Sequence, residues 1–231
     1  MLQLAAARST RVMAGFIAAT CVSVAAIGWL HTSHGRQLLA KLGVPCPVDT
    51  VDSNVVLSMR NNAISRQRGS IAAPDRPALG LQLDRSTESE VAEQMTRDNV
   101  HCDEISRGFR YLRCRGVPAQ LLRTNGPPVS EIWFSFKPDR TLMAINLYRR
   151  DMTESETRQS WRIALQSLRQ ALGVPTAMTG DTTLTSLMEK PVAVARVEYA
   201  YSDYVATVTA SHLPYGGLAV REQYMSATTA H

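Results

Sequence analysis

His31 and His34 lie three residues apart, directly after an apolar run. On a helix that spacing puts both imidazoles near one face, where they could ligate a haem iron or a chlorophyll magnesium at a membrane surface. The Cys-x-x-Cys-His of covalent haem attachment is absent. The pair is read as interfacial polar side chains, and no cofactor is expected. His101-Cys102-Asp103-Glu104, with Cys114 downstream, collects ligand-type residues. Structural zinc takes two ligand clusters at set spacing, and the second is missing, so no metal site is expected. Cys102 and Cys114 instead close a short loop as the best disulfide candidates, with two free buried thiols as the alternative.

Ser202-Asp203 and Ser211-His212 hold triad-type side chains, but no Gly-x-Ser-x-Gly elbow accompanies them. Glu131, Asp139 and Asp151 could supply a carboxylate pair for glycoside chemistry, as any chain of this size could. No glycine loop suited to cradling phosphate occurs. These residues support no catalytic assignment, and the chain is expected not to be an enzyme. A different group is concentrated in the candidate strands: Trp133, Tyr148, Tyr199, Tyr201, Tyr204 and Tyr215, with Phe134, Phe136 and Tyr224. Aromatic side chains on a sheet face make an interaction surface, or else they fill the sheet's core and rim. The first six are the candidates for a surface.

Positioning these groups needs a frame. Residues 12–30 carry no charge and span about 28 Å as a helix, close to the hydrocarbon thickness of a bilayer. Arg8 and Arg11 precede the run and Trp29 lies at its far end. The expectation is a cytoplasmic N-terminus at 1–11, a transmembrane anchor at 12–30, and the remainder outside the cytoplasm. Arg36 and Lys41 follow the run and blur the orientation signal. The rivals are a signal peptide cleaved near Val24-Ala25-Ala26 and a lipoprotein acylated at Cys21. Against the first, the apolar run continues through Leu30; against the second, Ala18-Ala19-Thr20 is not a lipobox. A Cys102–Cys114 bridge fits the oxidising periplasm and leaves Cys46 odd. Net charge of +5 comes from scattered arginines without a basic stripe, which speaks against nucleic acid and for an anionic membrane surface.

Residues 31–78 read as a juxtamembrane helix followed by an extended connector with few periodic apolar positions, punctuated by Asn61-Asn62, Gly69, Pro74 and Pro77, with a short helix at Ser53–Ser65. The connector would wrap a partner or the domain itself. The domain proper is expected at 79–231. Thr87-Glu88-Ser89-Glu90 and Thr153-Glu154-Ser155-Glu156 are capping boxes. They open helices at Glu88–Asp98, with Val91 and Met95 on one face, and Glu154–Leu172. The second presents Trp161, Ala164, Leu165, Leu168 and Leu172 on one face and ends at Gly173. Strands are expected at Phe109–Arg115, Glu131–Phe136, Thr141–Arg149, Ala193–Tyr201, Tyr204–His212 and Leu218–Ser226, with Lys137-Pro138-Asp139-Arg140 as a hairpin turn. The fold class is α+β: an antiparallel sheet with two packed helices, arranged either as two related αβββ halves at 79–150 and 151–231 or as one sheet with both helices on one face.

This layout, Thr87–Asp98 followed by three strands and Thr153–Leu172 with Gly173-Val174-Pro175 followed by three more, resembles two families. One is the outer-membrane assembly lipoprotein BamE, and the other is the tandem β-lactamase-inhibitor-type proteins. The resemblance covers residues 79–226 and is one of architecture. It departs from the lipoprotein family in the long anchor and missing lipobox, and it carries over no site residues. It implies action by binding proteins rather than by catalysis. The expected function is therefore a non-catalytic accessory or scaffold subunit, single-pass in a bacterial inner membrane. It would dock on the periplasmic face of an integral membrane complex of respiratory, photosynthetic or envelope-assembly type. The alternative is a periplasmic ligand- or peptide-binding sensor with a cleft between helices and sheet. A hydrolase resting on Glu131, Asp203 and His212 stands third.

Overall fold

Capping chemistry and period-two alternation build the described part of the chain. The computed structural model describes residues 53–122 and 126–229. The anchor at 12–30, His31, His34, Cys21 and Cys46 lie outside the described residues. No described helix is long and apolar enough to cross a membrane. Four helices are described: α1 (Ser53–Gln67), α2 (Glu88–Arg97), α3 (Glu154–Leu172) and α4 (Thr185–Glu189). Both T-E-S-E segments form the expected capping boxes, each Thr hydroxyl accepting from the N3 amide while the N3 Glu reaches back. The eight strands are β1 (Cys102–Arg107), β2 (Phe109–Val117), β3 (Val129–Phe136), β4 (Leu142–Met152), β5 (Ala177–Thr179), β6 (Ala193–Ala200), β7 (Tyr204–Leu213) and β8 (Gly217–Ser226).

All eight strands join one antiparallel sheet in the order β1-β2-β3-β4-β8-β7-β6-β5. The order reads alike from both edges. On each side a capped helix leads into a four-strand meander, and the last strands of the two meanders, β4 and β8, pair at the centre. The expected six strands are all present. Two short ones join them, so each helix is followed by four strands rather than three. β1 and β2 are bridged by the Cys102–Cys114 disulfide.

Alternation separates the two faces. Along β4, Ile145, Leu147 and Arg149 are buried, whereas Asn146, Tyr148 and Arg150 are not. The first set faces the helices. α3 places Trp161, Ala164, Leu168 and Leu172 over β4, β7 and β8, with Leu165 only partly buried. α4 lies over β6 and β7. The second set forms a face that α1 crosses at one end, where Ile64 packs with Val205, Ala227 and Met225.

The segment read as a connector is bound to the domain itself. Gly69 lies so close to β6 that a Cβ would collide with the Ala200 carbonyl oxygen. Ser202 donates its amide to Ile71, Asp203 accepts from the Ala73 amide, and the Tyr204 hydroxyl donates to the Pro77 carbonyl. Asp84 ends this strap. Its carboxylate meets Arg76 at 2.5 Å, Lys137 at 2.7 Å and the Ser226 hydroxyl at 2.8 Å.

Burial alone would raise the Asp84 pKa, but hydrogen bonds from Arg76, Lys137 and Ser226 outweigh it and hold the carboxyl below its ordinary value. A folded-state pKa below the unfolded one gives stability that is full above the unfolded value and fades as pH falls through the folded one. Asp84→Asn is expected to cost about 2 kcal/mol at neutral pH, less than a fully buried pair because solvent still screens the site. The difference from wild type should shrink below about pH 4 in urea titrations.

Candidate functional site

The face turned away from α3 gathers aromatic and guanidinium groups because the register of β2, β3, β4 and β8 lines them up. One row across the strands is Arg113, Trp133, Asn146 and Gln223; the next is Arg115, Glu131, Tyr148 and Arg221. Arg113 forks onto the Glu131 carboxylate at 2.9 and 3.0 Å, and the Trp133 indole N–H donates to the same group. The Arg113 guanidinium stands 5.0 Å from the Trp133 ring centre, and Tyr111 meets that ring edge-on at 5.9 Å. Tyr148 is flanked by two guanidiniums, Arg150 at 5.1 Å and Arg221 at 5.4 Å from its ring centre. Such cation–π contacts fix both partners in place while leaving the rings half-exposed.

A groove of about 320 Å³ runs over these side chains. Tyr111, Trp133 and Tyr148 line it, with Met143 beside the β-bulge between β3 and β4. Arg60 of α1 closes one end, donating to the Ser226 and Thr228 carbonyls. Burial would raise the Glu131 pKa, but bonds from Arg113 and Trp133 outweigh it and hold the carboxylate ionised. Glu131 is thus a fixed anion rather than a proton donor. With its charge matched by Arg113, the lining residues Arg60 and Arg221 leave the groove positive. Arg221 donates to Asn146 at 2.5 Å, and its buried Nε has no hydrogen-bond partner among the described residues. The groove therefore suits an incoming acceptor, above all a carboxylate.

Of the six aromatic candidates, Trp133 and Tyr148 lie in this groove. Tyr199, Tyr201 and Tyr204 do not, and the expectation that they form a surface is corrected: they are 0, 6 and 0% exposed. In β6, Tyr199 shares parity with buried Val197, and Tyr201 follows on the same side, its hydroxyl donating to the Leu172 carbonyl of α3. Tyr215 is fully exposed at the tip of the β7–β8 turn, outside the groove lining. Arg113, Arg150 and Arg221 were not foreseen as site residues. Their signal is the pairing of Tyr148 with Arg150, and of Tyr111 with Arg113, two residues apart in strands and hence on one face.

The residues with catalytic potential are dispersed. Ser202-Asp203 and Ser211-His212 sit near opposite ends of β7, about 30 Å apart at strand rise. Asp203 holds the strap, and the His212 ring nitrogen Nδ1 lies 3.0 Å from the Leu187 carbonyl. Asp139 closes the β3–β4 turn through the Thr141 amide and hydroxyl. Asp103 pairs with Arg115 at 2.8 Å. No group of three His, Cys, Asp or Glu side chains is placed to hold a metal among the described residues. Comparison with protein-family models, with curated proteins and with solved structures finds no match. The resemblance seen in the order of elements therefore carries no functional argument of its own.

Proposed function

We propose that this chain is a non-catalytic accessory subunit whose grooved sheet face docks on a partner protein. The observation that carries the reading is the Trp133–Tyr148 groove with its surplus of guanidiniums. The rings are rigid and half-exposed, which is the profile of binding hot spots. The occupant is a carboxylate-bearing apolar segment of the partner, seated on the rings and drawn by Arg150 and Arg221. Residues 12–30 serve as the transmembrane anchor, and the disulfide-bonded α+β part lies on the periplasmic side of a bacterial inner membrane. The partner is then an integral membrane complex, within reach of a domain tethered to the same bilayer. The two helix-plus-meander sides of the sheet are two related halves, and the seam between them, β4 against β8, forms part of the groove floor.

Affinity purification of the tagged full-length chain from gently solubilised membranes tests this. A stoichiometric membrane protein should copurify, with the anchor retained in the intact mass. Trp133→Ala should weaken the complex by about 30-fold, as loss of a hot-spot aromatic does. Arg221→Ala should do so more at low salt than at high salt, because screening already weakens the wild-type attraction. Tyr215→Ala should leave it unchanged. A monodisperse monomer without a membrane partner would remove the proposal.

A further inference from the structure

The turn between β7 and β8 departs from ordinary turn chemistry. Exposed turns are built mostly from Gly, Asn, Asp, Ser and Pro, yet here Leu213, Pro214 and Tyr215 precede Gly216 and Gly217. Tyr215 is fully exposed and Leu213 is half-exposed. The neighbouring chain brings Val192 and Val194 to the same end, 69 and 51% exposed. The Val192 amide donates to the His212 carbonyl at 3.0 Å, and Val194 stands opposite Ser211 in the register. Val192 is left-handed at φ 67°, a costly conformation for a β-branched residue, and such strain gathers at functional sites. Of the nine large apolar side chains exposed among the described residues, four therefore share this one end of the sheet.

The opposite end of the sheet is built from charge. Its turns are Lys137-Pro138-Asp139-Arg140 and Ser202-Asp203, and Asp84 holds Arg76 and Lys137 beside them. Those groups keep their water, whereas each Å² of apolar surface at the β7–β8 apex costs about 25 cal/mol while it stays wet. A contiguous apolar patch of this kind marks an interaction site. Its four side chains expose less than the roughly 800 Å² per partner of a stable protein interface. A lipid surface sets no such minimum and demands no matching shape. It takes aliphatic side chains into the acyl boundary and seats a tyrosine ring at the headgroups.

We infer that the β7–β8 apex dips into the headgroup region of the bilayer that holds the chain. The inference rests on the reading of residues 12–30 as an anchor. α1 starts at the charged end, where a Cβ added at Gly108 would meet Val56. The ten residues of β7 set the apex about 34 Å from that end. Residues 31–52 reach up to about 70 Å when extended, so their length lets the apolar end face the bilayer. The strands then run along the membrane normal. The Trp133–Tyr148 groove, on the face of the sheet, looks sideways toward an integral partner, and the apex stays clear of it.

The test is tryptophan fluorescence of the full-length Tyr215→Trp variant reconstituted into phosphatidylcholine vesicles, with the wild-type signal of Trp29, Trp133 and Trp161 subtracted. The added indole should emit at shorter wavelength and lose about half its intensity when the lipid is brominated beside the headgroups, as an interfacial aromatic does. Adding Leu213→Asp should abolish both effects while the melting temperature holds, because the position is half-exposed. Unquenched emission from vesicles that carry the protein would overturn the inference and leave the anchor standing. At long wavelength it would mean an apex in water, and at short wavelength an apex covered by a second copy or by another segment of the chain. Failure of the protein to float with the vesicles would overturn the anchor and the inference together.

Discussion

Glu222→Gln is expected to destabilise the protein by about 3–5 kcal/mol, measured as a lower urea midpoint at constant slope. Arg149 is 2% exposed, and the substitution leaves its charge without the counter-ion that made burial tolerable. It also changes the acceptor of Tyr224, whose phenol is buried and whose pKa burial and then Glu222 push well above the ordinary value. Arg149→Met should cost a similar amount by stranding Glu222. The double variant Arg149→Met/Glu222→Leu removes both charges and keeps the volume, so it should recover most of the loss. A cost below about 1 kcal/mol for Glu222→Gln would mean that water reaches the pair freely.

How much of this could be seen beforehand differs by element. α2 and α3 were legible because a capping box is local chemistry: Thr87 and Thr153 each find their partner three residues on. The strands β6, β7 and β8 were legible from alternation. β1 was not, since Cys-Asp-Glu-Ile-Ser-Arg has one aliphatic residue and stays in the sheet by pairing with β2. β5 has three exposed residues and leaves no pattern to read. α4 lacks a capping side chain at Leu184; Asp181, four residues before the helix, accepts from the Ser186 amide instead. Those bonds, with that of Thr183, lower the Asp181 pKa to about 2.

The functional face was half legible for a related reason. Aromatic type does not say which side of a sheet a residue takes. Tyr148 and Tyr199 look alike in composition, and only their neighbours at i±2 differ: Arg150 and Asn146 for one, Val197 and Tyr201 for the other. For the strap, sequence left two outcomes open, wrapping a partner or wrapping the domain itself. Its contacts are scattered hydrogen bonds, one close glycine approach and the buried Ala78 and Leu83, which together leave no period.

Breaking the Cys102–Cys114 bond, by reductant or by Cys114→Ser, is expected to lower stability by about 3 kcal/mol. The bond closes a loop of twelve residues' separation, and the loss reflects the freedom regained by the unfolded chain. The folded state should respond unevenly. β1 is an edge strand, with Ser106 and Glu104 exposed, so without the bridge few apolar contacts hold it. Amide exchange should accelerate in β1 and stay slow in β4 and β8 at the centre. The loosening should reach the groove's edge as well. Asp103 of β1 pairs with Arg115, and Ile105 stands opposite Tyr111, which packs on Trp133. Reduced protein should therefore bind its partner more weakly even below its melting temperature. Melting curves and copurification, each with and without reductant, read the two effects separately. Equal stability in both redox states would show that pairing with β2 alone holds β1, and it would remove the disulfide as support for an oxidising compartment.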